Sequence, residues 1–522
     1  MHLKEAKEKK KFQDVYKLVL DKSHLMKVGT LLWHAARNFG DTVALIYVEE
    51  QITFMQLYQR ARTCAQVLKN LSVKSADRVV ISFENSPDFY VAYFAAWQVG
   101  AVVVPLNTFL KEYELAHIIA DAKPVLICTS SDKASLFSGF GIALLTPSEM
   151  VPADMDTRDH AQIEETFDDS SMSHQDEVAV LLYTSGTTGT PKGVMLSSSN
   201  IMSNMLQVIA RLEIDGSGQR VLAVLPLFHV FAQNTCVWIP MIMGCTIVLV
   251  QKIDRRLILD ALKYKPTLFL GVPALYGLLC LLKTAPLESV EYFVSGGDAL
   301  PDKISTAFSL IYRRKICNGY GLTETSPVIS VDLECFLKPT GFVGRPVVNT
   351  ECVVCDEHGH RLKQGEIGEL WVSGPQVMLG YYNQQELTDQ VMSDGFFKTG
   401  DLGYCDKDGA IIITGRLKDL IISKGVNIYP QEIENVLLSH TNIIGAAVIG
   451  QKDDQVGEVP IAFVQLRQAD ESMPQVLRLL CLERLATYKV PQRFICSTES
   501  LPMTATAKVD KKVLRERLKN MY

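Results

Sequence analysis

The sequence predicts an α/β protein: a large N-terminal domain of two doubly wound sheets plus a small β-barrel-like unit, then a small α+β segment at the C-terminus. Three observations lead there. Strand-like apolar runs alternate with helix-period runs from Phe54 to Ser295, the pattern of stacked βαβ units around mostly parallel sheets. Beyond about Val328 the runs shorten and are punctuated by Gly and Asp, as in antiparallel β structure. A chain of 522 residues also exceeds what one hydrophobic core accommodates.

The N-terminus alternates Lys4, Lys7, Lys9, Lys10 and Lys11 with Glu5 and Glu8 and lacks the apolar stretch of a signal sequence. It reads as a solvated helical tail, with contact to an anionic membrane surface as the alternative. Phe54, Leu57, Tyr58, Ala61, Cys64, Ala65, Leu68 and Leu71 fall at helical spacing and predict an amphipathic helix. Strands follow at Arg78–Phe83, Ala101–Pro105 and Pro124–Cys128, with helices at Asp88–Val99 and Glu112–Ala120 between them. The acidic, polar stretch from Asp154 to Glu177 reads as an exposed connection. A second alternation uses strands Val221–Leu225, Thr246–Val250, Thr267–Gly271 and Tyr292–Ser295. No Lys, Arg, Asp or Glu occurs from Val221 to Val250, which raises a transmembrane question. Pro226, His229, Gln233, Asn234 and Pro240 interrupt that run, so buried strand, helix (Phe231–Ile242) and strand is the better reading. The antiparallel unit is expected at Cys352–Cys355, Glu369–Val372 and Ile411–Thr414. The closing segment carries helices near Gln431–Leu438, Met473–Leu485 and Lys511–Leu518.

Hydrophobic residues at 48% and charged residues at 21% describe an ordered globular protein. A net charge of −6 argues against nucleic acid as a partner, because such binding runs on basic surface. The 12 cysteines are scattered, which suggests a reducing cytoplasm and free thiols. Cys352 and Cys355 form a C-x-x-C in a strand-like stretch, where an offset of three puts them on opposite faces. No second such pair accompanies them, so a zinc site is disfavoured.

The chemistry centres on the run Tyr183 to Gly193. It follows the apolar strand Val178–Leu182 and carries Gly186, Gly189 and Gly193, the hydroxyls of Thr184, Ser185, Thr187, Thr188 and Thr190, and Lys192. Glycines bring backbone N–H groups close to a ligand, hydroxyls and amides suit phosphate oxygens, and lysine adds a point charge. The run therefore reads as a phosphate-holding loop, although its glycine spacing is not that of the common P-loop. A flexible linker is the plainer alternative, but a linker needs neither a preceding strand nor a Pro-Lys-Gly close. A second constellation, Asn318-Gly319-Tyr320-Gly321-Leu322-Thr323-Glu324, sets an aromatic face, a hydroxyl and a carboxylate beside two glycines. A tyrosine face can stack on a purine, and a glutamate oxygen suits Mg²⁺. Thr399-Gly400-Asp401 puts one carboxylate in a glycine turn, where it can accept two hydroxyls of a ribose.

Together these stretches resemble the signature motifs of the adenylate-forming superfamily, which includes acyl-CoA synthetases, luciferases and adenylation domains. The resemblance runs from about Leu31 to Lys519, with six motifs in family order. It implies that Thr184, Ser185, Gly186, Thr187, Thr188, Gly189 and Lys192 hold phosphates, with Thr184 and Glu324 as metal ligands. It places Gly297, Asn318, Gly319, Tyr320 and Gly321 around the adenine, and Thr323 and Glu324 at the reacting phosphate. Asp401 and Arg416 fall at the ribose, and Lys418 at a hinge between residues 1–417 and a small mobile domain, 418–522. Lys424 and Gly425 fall in the segment facing thioester formation, although many members carry glycine where Lys424 stands. Lys508 matches the catalytic lysine, with Ala507 in place of the usual glycine. His229 matches the histidine at the acyl pocket; a buried structural histidine is the alternative. The resemblance implies an AMP-forming acyl-CoA synthetase using ATP, Mg²⁺ and coenzyme A on a carboxylic acid. The apolar run His229–Met243, with Trp238, Met241 and Met243, suggests a medium- or long-chain fatty acid. An acyl-carrier protein as thiol acceptor and a weakly catalytic nucleotide-binding scaffold are the alternatives. Cytoplasmic location with at most peripheral membrane contact is expected.

Overall fold

The computed structural model describes residues 27–152, 177–185, 191–212, 214, 216, 218–333, 338, 340–423, 426–453, 456–503 and 509–521. The charged N-terminal tail and nearly all of the acidic connection lie outside the described residues.

The first sheet has seven strands. Gly380–Tyr381, Pro191–Ser197 and Val178–Ser185 pair antiparallel, and Val102–Pro105, Arg78–Ser82, Leu126–Thr129 and Ala143–Leu145 continue it in parallel. The parallel part is the predicted βαβ alternation, with helices Pro87–Gln98 and Glu112–Ala122 between strands. Helix Phe54–Asn70 begins at Thr53, whose side chain caps Gln56 N–H while Gln56 returns the bond, a reciprocal pair that fixes the start. Helix Pro87–Gln98 is buried on every side except at Asp88, as a helix clamped between layers must be. Three of its polar atoms fix it there. Trp97 Nε1 donates to Ala179 O of the first sheet at 3.0 Å, while Tyr90 and Tyr93 donate to Cys236 O and Gln233 Oε1.

The second sheet is larger than the sequence implied. Tyr292–Ser295, Leu268–Gly271, Arg220–Ala223 and Thr246–Leu249 form the expected parallel centre, and Val43–Tyr47 and Glu50–Thr53 extend it from the N-terminal side. The small β unit is present, and it is joined to this sheet. Ile316–Gly321 pairs with Tyr292–Ser295 and with Val328–Asp332. The order then runs through Phe342–Pro346, Ile411–Arg416, Phe396–Cys405, Gly368–Ser373 and Glu351–Cys355. Four strand steps separate Phe396–Cys405 from Ile316–Gly321, about 19 Å if flat at ~4.8 Å per step. Yet Tyr320 and Asp401 touch across them. The sheet therefore curls on itself, which is the barrel-like character expected.

A separate five-stranded sheet, Ile421–Ser423, Val426–Ile428, Ile443–Asp453, Gly457–Leu466 and Arg493–Ser497, carries helices Pro430–Leu438, Met473–Arg484 and Lys511–Lys519, with its own core around Ile433, Val448 and Leu477. Lys303 Nζ, on helix Asp302–Tyr312, ties this segment to the rest, donating to Ile443 O at 2.8 Å and His440 O at 3.2 Å. Within the segment, Arg515 pairs with Asp419 at 2.7 Å.

The run from His229 to Met243 differs from expectation. It is one helical stretch, Val230–Met243, whose middle, Gln233–Trp238, is a π-helix. Trp238 and Met241 are core residues: Trp238 stacks on Trp97 with ring centroids 6.3 Å apart and donates to Tyr93. Both side chains pack within the core that fills the space between the two sheets. Among the described residues no helix is long and apolar enough to cross a membrane. Among the described residues ten cysteines are free thiols, as expected, but Cys317 is disulfide-bonded, so the expectation of free thiols fails there. Among the described residues no three metal-ligating side chains cluster.

Candidate functional site

The phosphate-holding run is less of a loop than its composition suggests. Val178–Ser185 extends three residues past the predicted end, and Pro191 opens the antiparallel partner strand, with Thr184 opposite Lys192. Proline at a first strand position removes no needed ladder bond. Gly186, Thr187, Thr188, Gly189 and Thr190 lie outside the described residues.

Lys192 leaves its strand to reach a carboxylate. Its Nζ is 3.2 Å from Glu324 Oε1 and 3.9 Å from the centre of the Tyr381 ring, and it donates to the Tyr381 hydroxyl. Tyr381 OH in turn donates to Glu324 Oε1 at 2.8 Å. Burial first, and then the Glu324 charge, raise the Tyr381 phenol far above its usual value, so it stays a donor. Glu324 sits on the short 3-10 turn Thr323–Thr325 and is largely buried. Gly321 explains why the turn can start there: a Cβ at that position would come within 1.9 Å of Pro327 O.

The Asn318–Gly321 motif is the end of the strand Ile316–Gly321, where the sequence reading had only a strand before it. Tyr320 OH donates to Asp401 Oδ2 at 2.7 Å, and Arg416 Nε lies 3.3 Å from Asp401 Oδ1, the two residues being cross-strand partners. Burial and the adjacent Asp401 charge raise the Tyr320 phenol well above its ordinary value. Asp401 itself is only 5% exposed, held by an N–H bond to Thr399 Oγ1.

Gly297 (φ +80°) turns the chain after Tyr292–Ser295, next to Gly296, and Phe231 closes on that turn, since a Cβ on Gly296 would meet its ring at 3.2 Å. His229 stands just before helix Val230–Ala232, half-buried, its ring 5.2 Å from Phe228. Lys418 lies on the turn Leu417–Asp419 beside the ribose candidates; burial and the Arg416 charge lower its amine. Lys424, Gly425 and Lys508 lie outside the described residues.

The residues present fit a magnesium nucleotide. Four buried side-chain oxygens without a hydrogen-bond partner lie on strands that carry or lead into these residues: Thr184 Oγ1, Ser295 Oγ, Asn318 Oδ1 and Thr414 Oγ1. Native interiors rarely leave such atoms unpaired, and a polar ligand would satisfy them. Glu324 and Thr184 supply the hard oxygens that Mg²⁺ takes.

One member of the site escaped the sequence reading. Tyr381 stands in Gly380-Tyr381-Tyr382 with no charge or hydroxyl cluster beside it. A two-residue strand pairs it with Val194, and Thr388 Oγ1 accepts its N–H. Only that long-range pairing reveals it.

Residues 32–382 match the family model described as AMP-binding enzyme, and residues 432–508 match that of the AMP-binding enzyme C-terminal domain. The chain is 31% identical to the long-chain-fatty-acid–CoA ligase of Bacillus subtilis (strain 168), across 94% of this chain and 95% of that one. It is 34% identical to the 2-succinylbenzoate–CoA ligase of Bacillus velezensis, across 91% and 95%. It also superimposes on O-succinylbenzoate coenzyme A synthetase from Bacillus subtilis, solved in complex with ATP and magnesium ion. That match has a TM-score of 0.83 and 30% identity, and covers 94% of this chain and 99% of that one. With two matched domains in order and a charged, buried site shaped for a magnesium nucleotide, the chain belongs to the AMP-binding enzyme family of the adenylate-forming superfamily, as an AMP-forming acid–thiol ligase.

Proposed function

We propose that the acid activated by this ligase is a medium- or long-chain fatty acid, carried through acyl-AMP to a CoA thioester. One observation carries the assignment of residues: a single short run, Tyr320 to Glu324, reaches Asp401 and Arg416 from one residue and Lys192 and Tyr381 from another. A base-and-sugar end and a phosphate-and-metal end are thus held in fixed relation. In this reading the Tyr320 face packs on the adenine, and Asp401 accepts the ribose hydroxyls beside Arg416. The Thr184–Gly189 run, Lys192 and Thr323 hold phosphate oxygens. Glu324 and Thr184 would hold Mg²⁺, which would supply neutralisation of phosphate charge. Lys508 stabilises the charge that develops as the carboxylate oxygen attacks the α-phosphorus and pyrophosphate leaves. The thiol then displaces AMP from the acyl carbon, with the Lys424–Gly425 segment facing that step. Lys418 is the hinge between residues 1–417 and 418–522, because Lys508 and Lys424 belong to one small domain and serve different steps.

Apolar walls support an apolar acyl group: Phe231 packs on Gly296, and Val272 lies 3.8 Å from a Cβ on Gly297. Likeness to the fatty-acid ligase over 94% of the chain supports an aliphatic one. A second reading, a compact aromatic acid, is favoured by the packing of Trp238 and Met241 into the core. Acid-dependent exchange of labelled pyrophosphate into ATP, across aliphatic acids of increasing length and substituted benzoates, tests both. Exchange rising with chain length supports the first, and exchange confined to aromatic acids replaces it. Repeating the active acid with CoA and with a holo-acyl-carrier protein identifies the thiol.

A further inference from the structure

Glu324 already holds a cation in this structure: the Lys192 ammonium, 3.2 Å away. A divalent metal on the same carboxylate repels that ammonium, and incoming phosphates offer Lys192 another anionic partner. As Lys192 turns to the phosphates, the largely buried carboxylate exchanges one cation for another and loses the ammonium's hold on its orientation. One partner stays. The Tyr381 hydroxyl donates to the same Oε1 at 2.8 Å, and Tyr381 is only 3% exposed. Its backbone is pinned on both sides, by strand pairing to Val194 and by the N–H bond to Thr388 Oγ1 at 2.9 Å. Its aromatic ring also lies beneath the Lys192 ammonium, 3.9 Å from Nζ to centroid.

We propose that Tyr381 is a positioning residue for the metal: its hydroxyl holds the Glu324 carboxylate in place while Lys192 gives way, so that the carboxylate presents to the metal together with the unpaired Thr184 Oγ1. The proposal rests on Glu324 being a metal ligand. Tyr381 acts through Glu324, so its removal is read in metal-dependent nucleotide binding.

The test is calorimetric titration of the full chain with ATP, without acid or thiol, once in EDTA and once in excess Mg²⁺. Tyr381→Phe keeps the ring and removes the hydroxyl. It is expected to lose about tenfold of the tightening that Mg²⁺ gives, the size of one hydrogen bond to a charged group, with affinity in EDTA unchanged. Glu324→Gln is expected to lose the tightening, and Tyr381→Phe added to it is expected to change nothing more. Full Mg²⁺ tightening in Tyr381→Phe, with loss in Glu324→Gln, overturns the role of Tyr381 and leaves the metal ligand standing. Tightening retained in Glu324→Gln removes the metal assignment and the proposal with it. An equal fall in EDTA and in Mg²⁺ assigns the Tyr381 hydroxyl to Lys192 or to packing rather than to the metal site, and overturns the proposal.

Discussion

Asp401 shows how neighbours define the surroundings of one side chain. Its two oxygens face the Tyr320 hydroxyl and the Arg416 guanidinium, which supply a donor and a positive charge to a buried carboxyl. Asp401→Ala is expected to raise the ATP dissociation constant at least tenfold, since it removes an ionic acceptor worth ~1.5–3 kcal/mol per hydrogen bond. Acid preference in pyrophosphate exchange should not move. Unchanged ATP affinity would remove Asp401 from the ribose site. At this scale the sequence was informative wherever a residue's chemistry is carried by near neighbours. Thr399-Gly400-Asp401 and Leu322-Thr323-Glu324 could be read because glycine, hydroxyl and carboxylate sit side by side. Tyr381 could not: its partners are 57 and 189 positions away along the chain, and no local pattern encodes a pairing of that span.

Elements were read well where periodicity is strong and poorly where two neighbours compete for a residue. The helix predicted from Phe54 to Leu71 forms as Phe54–Asn70, because its stripe and its Thr53 cap agree. The glycine and hydroxyl content between Tyr183 and Gly193 suggested loop throughout, yet the ladder of Val178–Ser185 with Pro191–Ser197 draws both ends into strand. The helix carrying Trp238 was visible, but not which side meets substrate, since apolar character is shared by core and pocket. The turn Leu417–Asp419 and the helix Lys511–Lys519 meet through Asp419 and Arg515. Burial would raise the Asp419 carboxyl, but the charges of Lys511 and Arg515 outweigh it and hold it below its usual value. A carboxyl lowered in the folded state adds stability above its unfolded pKa of about 3.9, and that stability is lost as pH falls through the lower folded value. Arg515→Gln should therefore cost about 1 kcal/mol at pH 7, after discounting for solvent around the arginine, and progressively less below about pH 4. Urea unfolding at the two pH values checks this, and a pH-independent cost would assign the effect to packing.

At the scale of the whole molecule, the alternation of strand and helix foretold two sheets, but not that the β unit continues the second of them. Strand content can be read locally; which edge a strand joins is decided by packing. The small C-terminal segment is held to the rest by Lys303, whose amine meets two carbonyls, and by the chain itself at Lys418. If the small domain alternates between poses about Lys418, those two bonds break and reform. Lys418→Pro fixes φ and should lock one pose. Acyl-AMP formation is expected to survive and acyl-CoA release to fail, measured separately on folded protein. Equal loss in both rates would end the hinge assignment. The continuous curled sheet has a consequence of its own for amide exchange. Tyr320 and Asp401 lie on strands of one continuously paired sheet, so opening at either disturbs the strands between. Amides from Leu268–Gly271 through Ile411–Arg416 should exchange with deuterium as one cooperative class, and those of Ile443–Asp453 and Gly457–Leu466 as another. Adding ATP should then slow the first class as a block, including strands that no nucleotide touches.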